Sequence, residues 1–359
     1  MDAEKLFDLN QNVEGILIYN NGESCNDPSF FYFTQLSRGG IFEGSYVFLT
    51  RKNLKVITSQ LEEETARAEE IDVEVFTSGK QRDELLKEIT KGITFLGINH
   101  SGLSHADFLS LKDKLPDKEF IDVGDSILNL RQIKSERELS KIKEAARIVS
   151  EVGENIPNML KDGMTENELA AKVNFEMMKA GASSPSFDTI AAFGPDSAEP
   201  HFSGGVRKLK KGEVVLVDFG AKYQRYCSDM TRTFFYGKPE KEMMDVFETV
   251  LKAQERGIKS IKSGKNGKDV DAESRKVIDS SRFKGRFIHS LGHGVGLNVH
   301  DHPALGPSYD FFLKENMVVT VEPGIYLPKK GGVRIEDDVI VTKDGCQVIT
   351  TAPKELQIV

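Results

Sequence analysis

The stretch Phe287-Ile288-His289-Ser290-Leu291-Gly292-His293-Gly294-Val295-Gly296-Leu297-Asn298-Val299-His300-Asp301-His302 carries four of the chain's seven histidines. His289 and His293 stand four apart, the spacing of a zinc-binding histidine pair on a helix, where the residue after the first histidine is an acid. Position 290 is Ser instead, and Gly292, Gly294 and Gly296 argue against a helix. The segment therefore reads as irregular or strand-like, with its backbone passing close to other atoms and its imidazoles presented outward. What those imidazoles face has to be found elsewhere in the chain.

Acids occur where burial makes them costly. Val214-Val215-Leu216-Val217-Asp218-Phe219-Gly220 is a buried-type strand run that contains Asp218, and Asp229 lies in the next strand run, 226–235. A hairpin turn over 220–225 would set Asp218 and Asp229 face to face. Glu322, in Val318–Tyr326, and Glu336, in Val333–Val341, are symmetric about Lys329 in the turn 328–331, so they too are expected as cross-strand partners. Like charges directly opposed in this way are destabilising. Each pair must either share a proton, with a strongly raised pKa, or be neutralised by a multivalent cation. One such acid is explained as a strand-end residue reaching solvent; two symmetric pairs beside a glycine-rich histidine segment are not. Carboxylates with one imidazole suit Mn²⁺, Co²⁺, Fe²⁺ or Zn²⁺. Four acids and a histidine exceed the needs of one catalytic zinc and fit a two-metal site.

The flanking chain frames this site. A length of 359 residues predicts two domains. Residues 1–129 alternate strand runs (15–19, 46–50, 55–58, 73–77 and 93–98) with polar periodic stretches (59–70, 81–90 and 104–115), the pattern of an α/β layer domain. His100 and His105 flank a turn there and read as surface or capping residues. From 130 to 359 the pattern is α+β. Ile142, Ala145, Ala146, Ile148, Val149 and Val152 form a helical stripe, and Thr165 with Glu168 forms a capping box. The segment Lys161–Ala171 is echoed about 100 residues later in Lys262–Ala272, which predicts a duplicated half packed around a shared cleft. Cys25, Cys227 and Cys346 are far apart and lack CxxC spacing, as expected of free thiols in a reducing cytoplasm. No apolar run is long enough to span a bilayer, and the N-terminal Met-Asp-Ala-Glu-Lys lacks the form of a signal peptide. A net charge of −8 disfavours non-specific nucleic-acid binding. The basic run 207–211 reads as a solvated turn before a strand.

Asp218, Asp229, His293, Glu322 and Glu336, in this order, resemble the ligand set of the pita-bread metallopeptidase family that includes methionine aminopeptidases, Xaa-Pro aminopeptidases and prolidases. Val-Asp-Phe-Gly, Ser-Asp-Met-Thr-Arg-Thr, Gly-His-Gly-Val-Gly-Leu-x-Val-His-Asp, Glu-Pro-Gly-Ile-Tyr and Val-Arg-Ile-Glu-Asp all match. The resemblance covers 130–359 and implies an α+β pita-bread catalytic domain. The preceding 1–129 looks like the creatinase-like α/β N-terminal domain of the proline-specific branch, which methionine aminopeptidases lack.

The resemblance implies hydrolysis of the bond between an N-terminal residue and proline, as Xaa-Pro aminopeptidase or Xaa-Pro dipeptidase, with two divalent metal ions, Mn²⁺ or Co²⁺ ahead of Zn²⁺ or Fe²⁺. By analogy Asp218 binds one ion, His293 and Glu322 the other, and Asp229 and Glu336 both. Glu322 also moves the proton. His201 and His300 match histidines that bind substrate and the tetrahedral intermediate. His289 and Arg334 line the cleft, and Phe187 and Val299 form apolar walls. The implied partners are proline-containing peptides and a second copy in a homodimer, with no nucleic acid and no membrane. The run His300-Asp301-His302-Pro303-Ala304 departs from the dipeptidase pattern, where a basic residue commonly follows to anchor a dipeptide's carboxylate; this permits longer peptides, and His302 is a substitute candidate. Two other readings use the same fold. A creatinase-like hydrolase would work without metals, against which the complete ligand set argues. A non-enzymatic binding module would typically have lost ligands.

Overall fold

In the computed structural model, residues 3–22, 25–69 and 71–359 are described. Met1 and Asp2 of the N-terminal reading, and Glu70 at the end of the 59–70 stretch, lie outside them. The chain divides into two compact units, 1–131 and 132–359.

The first unit is built on one six-stranded sheet. In chain order its elements are α1 (Ala3–Leu9), β1 (Gly15–Asn20), α2 (Pro28–Thr34), β2 (Ser45–Leu49), β3 (Leu54–Ser59), α3 (Glu63–Arg67), β4 (Asp72–Phe76), α4 (Gly79–Ile89), β5 (Phe95–Ile98), α5 (His105–Lys114), β6 (Glu119–Asp122) and α6 (Gly124–Gln132). The sheet order is β4-β3-β2-β1-β5-β6. Neighbours β1, β2 and β3 are antiparallel, while β3–β4, β1–β5 and β5–β6 run parallel. All five expected strands are present. The edge strand β6 escaped sequence reading because Glu119 and Asp122, both exposed, hide its alternation. Helix α2 escaped because Ser-Phe-Phe-Tyr-Phe-Thr is buried all round and shows no polar face; it starts where Asp27 caps Ser29 N–H with Pro28 at the first helical position. The 59–70 stretch is strand end, then a single 3₁₀ turn (Gln60–Glu62), then the short α3. His100 and His105 are exposed.

The second unit shows the expected duplication at atomic level. The long helix α7 (Glu136–Met159) is followed by α8 (Glu166–Lys179), and the long helix α9 (Lys241–Ser260) by α10 (Gly267–Asp279). Between the members of each pair the chain turns through a left-handed glycine, Gly163 or Gly264. Gly163 N–H then donates to Leu209 O and Gly264 N–H to Leu313 O, while Met164 O and Lys265 O accept back from Leu209 and Leu313. The second helix of each pair is capped, by Thr165 in a capping box with Glu168 and by Asn266. The apolar stripe from Ile142 to Val152 is buried, as its period requires.

Each helix pair covers short sheets. In the first half these are β7 (Ser184–Pro185), β8 (Ile190–Phe193), β9 (Glu213–Phe219), β10 (Ala221–Tyr223), β11 (Tyr226–Cys227) and β12 (Met230–Tyr236), ordered β11-β10-β7 and β12-β9-β8. In the second they are β13 (Gly292–Gly294), β14 (Asp301–Leu305), β15 (Val318–Val321), β16 (Gly324–Leu327), β17 (Gly331–Arg334), β18 (Asp337–Val341) and β19 (Cys346–Val348), ordered β14-β13-β15-β18-β19 with β16-β17 apart. The histidine segment is thus strand followed by an irregular run, not helix.

The two acid hairpins differ from one another. Val321 pairs Asp337 and Gly324 pairs Arg334, so one register runs through both ladders and sets Glu322 opposite Glu336, as the symmetry about Lys329 predicts. The aspartate hairpin is shifted. Thr231, not Asp229, faces Asp218, and the same register puts Asp229 opposite Gly220. The turn sits at Gln224 and Arg225, both left-handed, rather than over 220–225. Gly220 is there for close approach: an added Cβ would lie 2.2 Å from Ser228 O.

Candidate metal centre

The sheets of both halves converge on one cleft of about 410 Å³, whose lining includes Phe187, His201, Asp218, Asp229, His289, His293, Val299, His300, Glu322, Arg334 and Glu336. The structure brings together every residue singled out for a site role. His302 is exposed on β14 and is not among the lining residues.

Ligand-type atoms of Asp229, His293 and Glu336 all lie within 4.8 Å of one another. His293 Nε2 is 3.6 Å from Asp229 Oδ2 and 3.4 Å from Glu322 Oε1. These are not ion pairs. Burial, then the charge of His300, lowers the His293 pKa to about 4, so the ring is neutral near pH 7. Its Nδ1 lies 3.1 Å from Gly294 O, which can only accept, so the proton sits on Nδ1 and the Nε2 lone pair faces carboxylate oxygens.

Asp218 and Glu336 are each held by one oxygen and left open at the other. Asp218 Oδ2 accepts from Arg334 Nη2 at 2.6 Å and Glu336 Oε2 from Thr231 Oγ1 at 2.6 Å. Asp218 Oδ1, Asp229 Oδ1 and Glu336 Oε1 are buried and have no hydrogen-bond partner. Burial, followed by the charges of neighbouring acids, raises Asp229 and Glu336 well above the carboxylate range, and burial pushes Glu322 up to about 8. Orphaned buried oxygens around a lone pair are the environment a divalent cation satisfies, and the hard-oxygen donor set with one imidazole fits that ion class. The residues present fit the group.

Behind the acids runs a chain of donors. Arg334 Nη1 donates to Tyr326 Oη at 2.9 Å, and Tyr326 Oη lies 2.9 Å from His289 Nε2. His289 Nδ1 is 2.8 Å from Ser290 O, which fixes the proton there, so Tyr326 donates to Nε2. Burial lowers His289 to about 4 and raises Tyr326 to about 12, so both stay neutral. Asp338 Oδ2 accepts from the Asp229 backbone N–H at 2.9 Å. Sequence reasoning missed Thr231, Thr320, Tyr326 and Asp338. Thr231 lies on β12 two residues after Asp229 and Thr320 on β15 two residues before Glu322, each acid standing just beyond the strand's end, so a two-residue spacing from a ligand candidate was the available signal.

Comparison with known proteins shows the family. The model for metallopeptidase family M24 matches residues 140–343, and that for the creatinase/prolidase N-terminal domain matches 10–133. An Xaa-Pro dipeptidase of Pyrococcus horikoshii is 38% identical over 97% of this chain and 99% of its own length. The crystal structure of an X-Pro aminopeptidase from Thermotoga maritima superposes with a TM-score of 0.93 at 34% identity, covering both chains fully. That of the Pyrococcus horikoshii prolidase gives 0.90 at 37% identity, covering 99% of this chain and 98% of that one. With a pita-bread catalytic unit behind a creatinase-type N-terminal domain, the chain belongs to metallopeptidase family M24.

Proposed function

We infer that this protein is a metal-dependent exopeptidase that hydrolyses the bond between an N-terminal residue and proline. The observation that carries the reading is the cluster of unpaired, buried carboxylate oxygens around the neutral His293 in a cleft of peptide size. Relatives named Xaa-Pro dipeptidase and X-Pro aminopeptidase support the proline-specific branch. Asp218, Asp229, His293, Glu322 and Glu336 would hold two divalent ions, Mn²⁺ or Co²⁺ first. Such ions, when bound, acidify a water and polarise the carbonyl that precedes proline.

The chain's own groups do the rest. Glu322 accepts the proton of the attacking water and returns it to the proline nitrogen as the C–N bond breaks. His201 and His300 donate N–H groups to the carbonyl oxygen as negative charge develops on it. Phe187 and Val299 offer apolar walls to the substrate side chains.

Substrates extend beyond dipeptides. Arg334, committed to Asp218, is the only Lys or Arg lining the cleft among the described residues, so a dipeptide's carboxylate meets no free cation of this chain. The reading includes a cytoplasmic location, supported by three free cysteines, and a homodimer, which sedimentation would test. Among the described residues no helix is long and apolar enough to cross a membrane.

The test compares Gly-Pro with a Gly-Pro-Xaa tripeptide after EDTA treatment and after return of Mn²⁺, Co²⁺ or Zn²⁺. Metal-restored release of glycine from the tripeptide, at a kcat/KM no lower than for Gly-Pro, is expected. Failure on both substrates with every ion would sink the reading. Turnover without bound metal would favour a creatinase-like hydrolase, and absence of both metal and turnover a binding module.

A further inference from the structure

Two hydroxyls stand behind the glutamates, one on β12 and one on β15. Thr231 Oγ1 accepts from Arg334 Nε at 3.0 Å and donates to Glu336 Oε2 at 2.6 Å. Thr320 Oγ1 accepts from the backbone N–H of His293 at 3.0 Å and donates to Glu322 Oε1 at 3.3 Å. Neither threonine has any exposed surface. The two relays have one form: an N–H donates to a threonine oxygen, whose single proton then goes to a glutamate.

The form matters because a hydroxyl hydrogen turns freely until its acceptor side is engaged. With an N–H already on each oxygen, the O–H is aimed at the carboxylate. The last torsion of a glutamate side chain is broad and nearly two-fold, so little in the residue itself fixes its carboxylate plane. For Glu336 the hydroxyl supplies that restraint, holding Oε2 back and leaving Oε1 as a buried oxygen without a partner. For Glu322 it holds Oε1, the oxygen 3.4 Å from His293 Nε2. Thr320 thus ties the backbone of the histidine and the side chain of the acid to one atom.

The geometry points to Thr231 and Thr320 as positioning residues that orient the Glu336 and Glu322 carboxylates for cation binding. This rests on the metal-centre reading above, and it adds a role to two residues that touch neither ion nor peptide. Losses of about 10–100-fold in metal affinity are usual when a partner of a metal ligand is removed.

The experiment is calorimetric titration of the metal-free full chain with Mn²⁺ alone, and in parallel with Co²⁺ while its visible absorption is followed. Wild type is compared with Val, Ala and Ser at position 231 and, separately, at 320. Valine keeps the shape of threonine and removes the oxygen; Ala and Ser differ from each other only in that oxygen, which keeps the test intact if valine does not fold. The expected result is about two equivalents bound by wild type, affinity for at least one ion lower by about 10–100-fold in the Val and Ala variants with an altered Co²⁺ spectrum, and Ser within about threefold of wild type. Val and Ala variants that bind like wild type would overturn the inference while leaving the metal centre intact. So would Ser variants as weak as Ala, since the methyl group would then be the cause. A folded wild type that takes up neither ion overturns the metal-centre reading, and this inference with it.

Discussion

His293 and His300 lie with ring centroids 4.2 Å apart, yet their surroundings differ. His293 turns Nε2 toward two carboxylates with its other nitrogen tied to Gly294 O; His300 stands further out, exposed at the cleft. Replacing His293 by Ala should abolish tight binding of at least one ion, read by elemental analysis. His300→Ala should leave the metal content unchanged and lower kcat on the order of 100- to 1,000-fold, the usual effect of losing one donor to a developing oxyanion. At this scale the sequence is most legible where chemistry is rare. Buried acids and a histidine between glycines stand out. Thr231 and Thr320 do not, because threonine is an ordinary strand residue and its hydroxyl acquires a role only through what the fold sets around it.

Elements carry two further consequences. Helix α8 begins with Glu166, which has no exposed surface; its Oε1 accepts from Phe193 N–H at 2.8 Å and its Oε2 has no partner. Burial raises its pKa from 4.5 to about 7. Between those values the unfolded chain has released the proton that the folded chain keeps, so stability falls as pH rises through the window. The loss is complete once the pH passes the folded value. Glu166→Gln keeps the acceptor and should flatten this slope, as urea unfolding at pH 5 and pH 8 would show. Strand β13 is constrained differently: a Cβ at Gly292 would lie 2.1 Å from the backbone oxygen of Thr320. Gly292→Ala should destabilise the unit by about 1–3 kcal/mol or more, since a backbone atom cannot swing aside, and thermal unfolding measures it. Register was legible for the glutamate hairpin because Pro328 and Gly331 bound a turn that coincides with the symmetry centre. For the aspartates it was read two residues off in the pairing sum. Gly220 looks like the turn residue, while the actual turn uses Gln224 and Arg225, side chains that rarely adopt left-handed backbone.

At the scale of the molecule, the duplicated halves explain why neither holds the site alone. Asp218 and Asp229 come from the first, His293, Glu322 and Glu336 from the second, and each half has its own apolar core. An ion bound between them favours the folded state by mass action, about 2.7 kcal/mol at a concentration 100 times its Kd. For a unit of this size Mn²⁺ at that concentration should raise the melting temperature by roughly 5–10 °C, and EDTA should reverse it; scanning calorimetry reads both. The duplication was legible from the echo of Lys161–Ala171 in Lys262–Ala272, because the glycine turns and helix caps that define it are local. The side-chain relays between strands distant in the chain were not. The glycines beside His293 separate two kinds of constancy. Gly292 and Gly294 have no room for a Cβ because the backbones of Thr320 and His302 lie against them, whatever the cleft contains. The imidazole between them, on the proposed metal-centre reading, would be kept for the ions. In lineages descended from such a chain that have abandoned hydrolysis, His293 and the acids should drift while both glycines persist, so that the Gly-x-Gly spacing marks ancestry and the residue inside it marks activity.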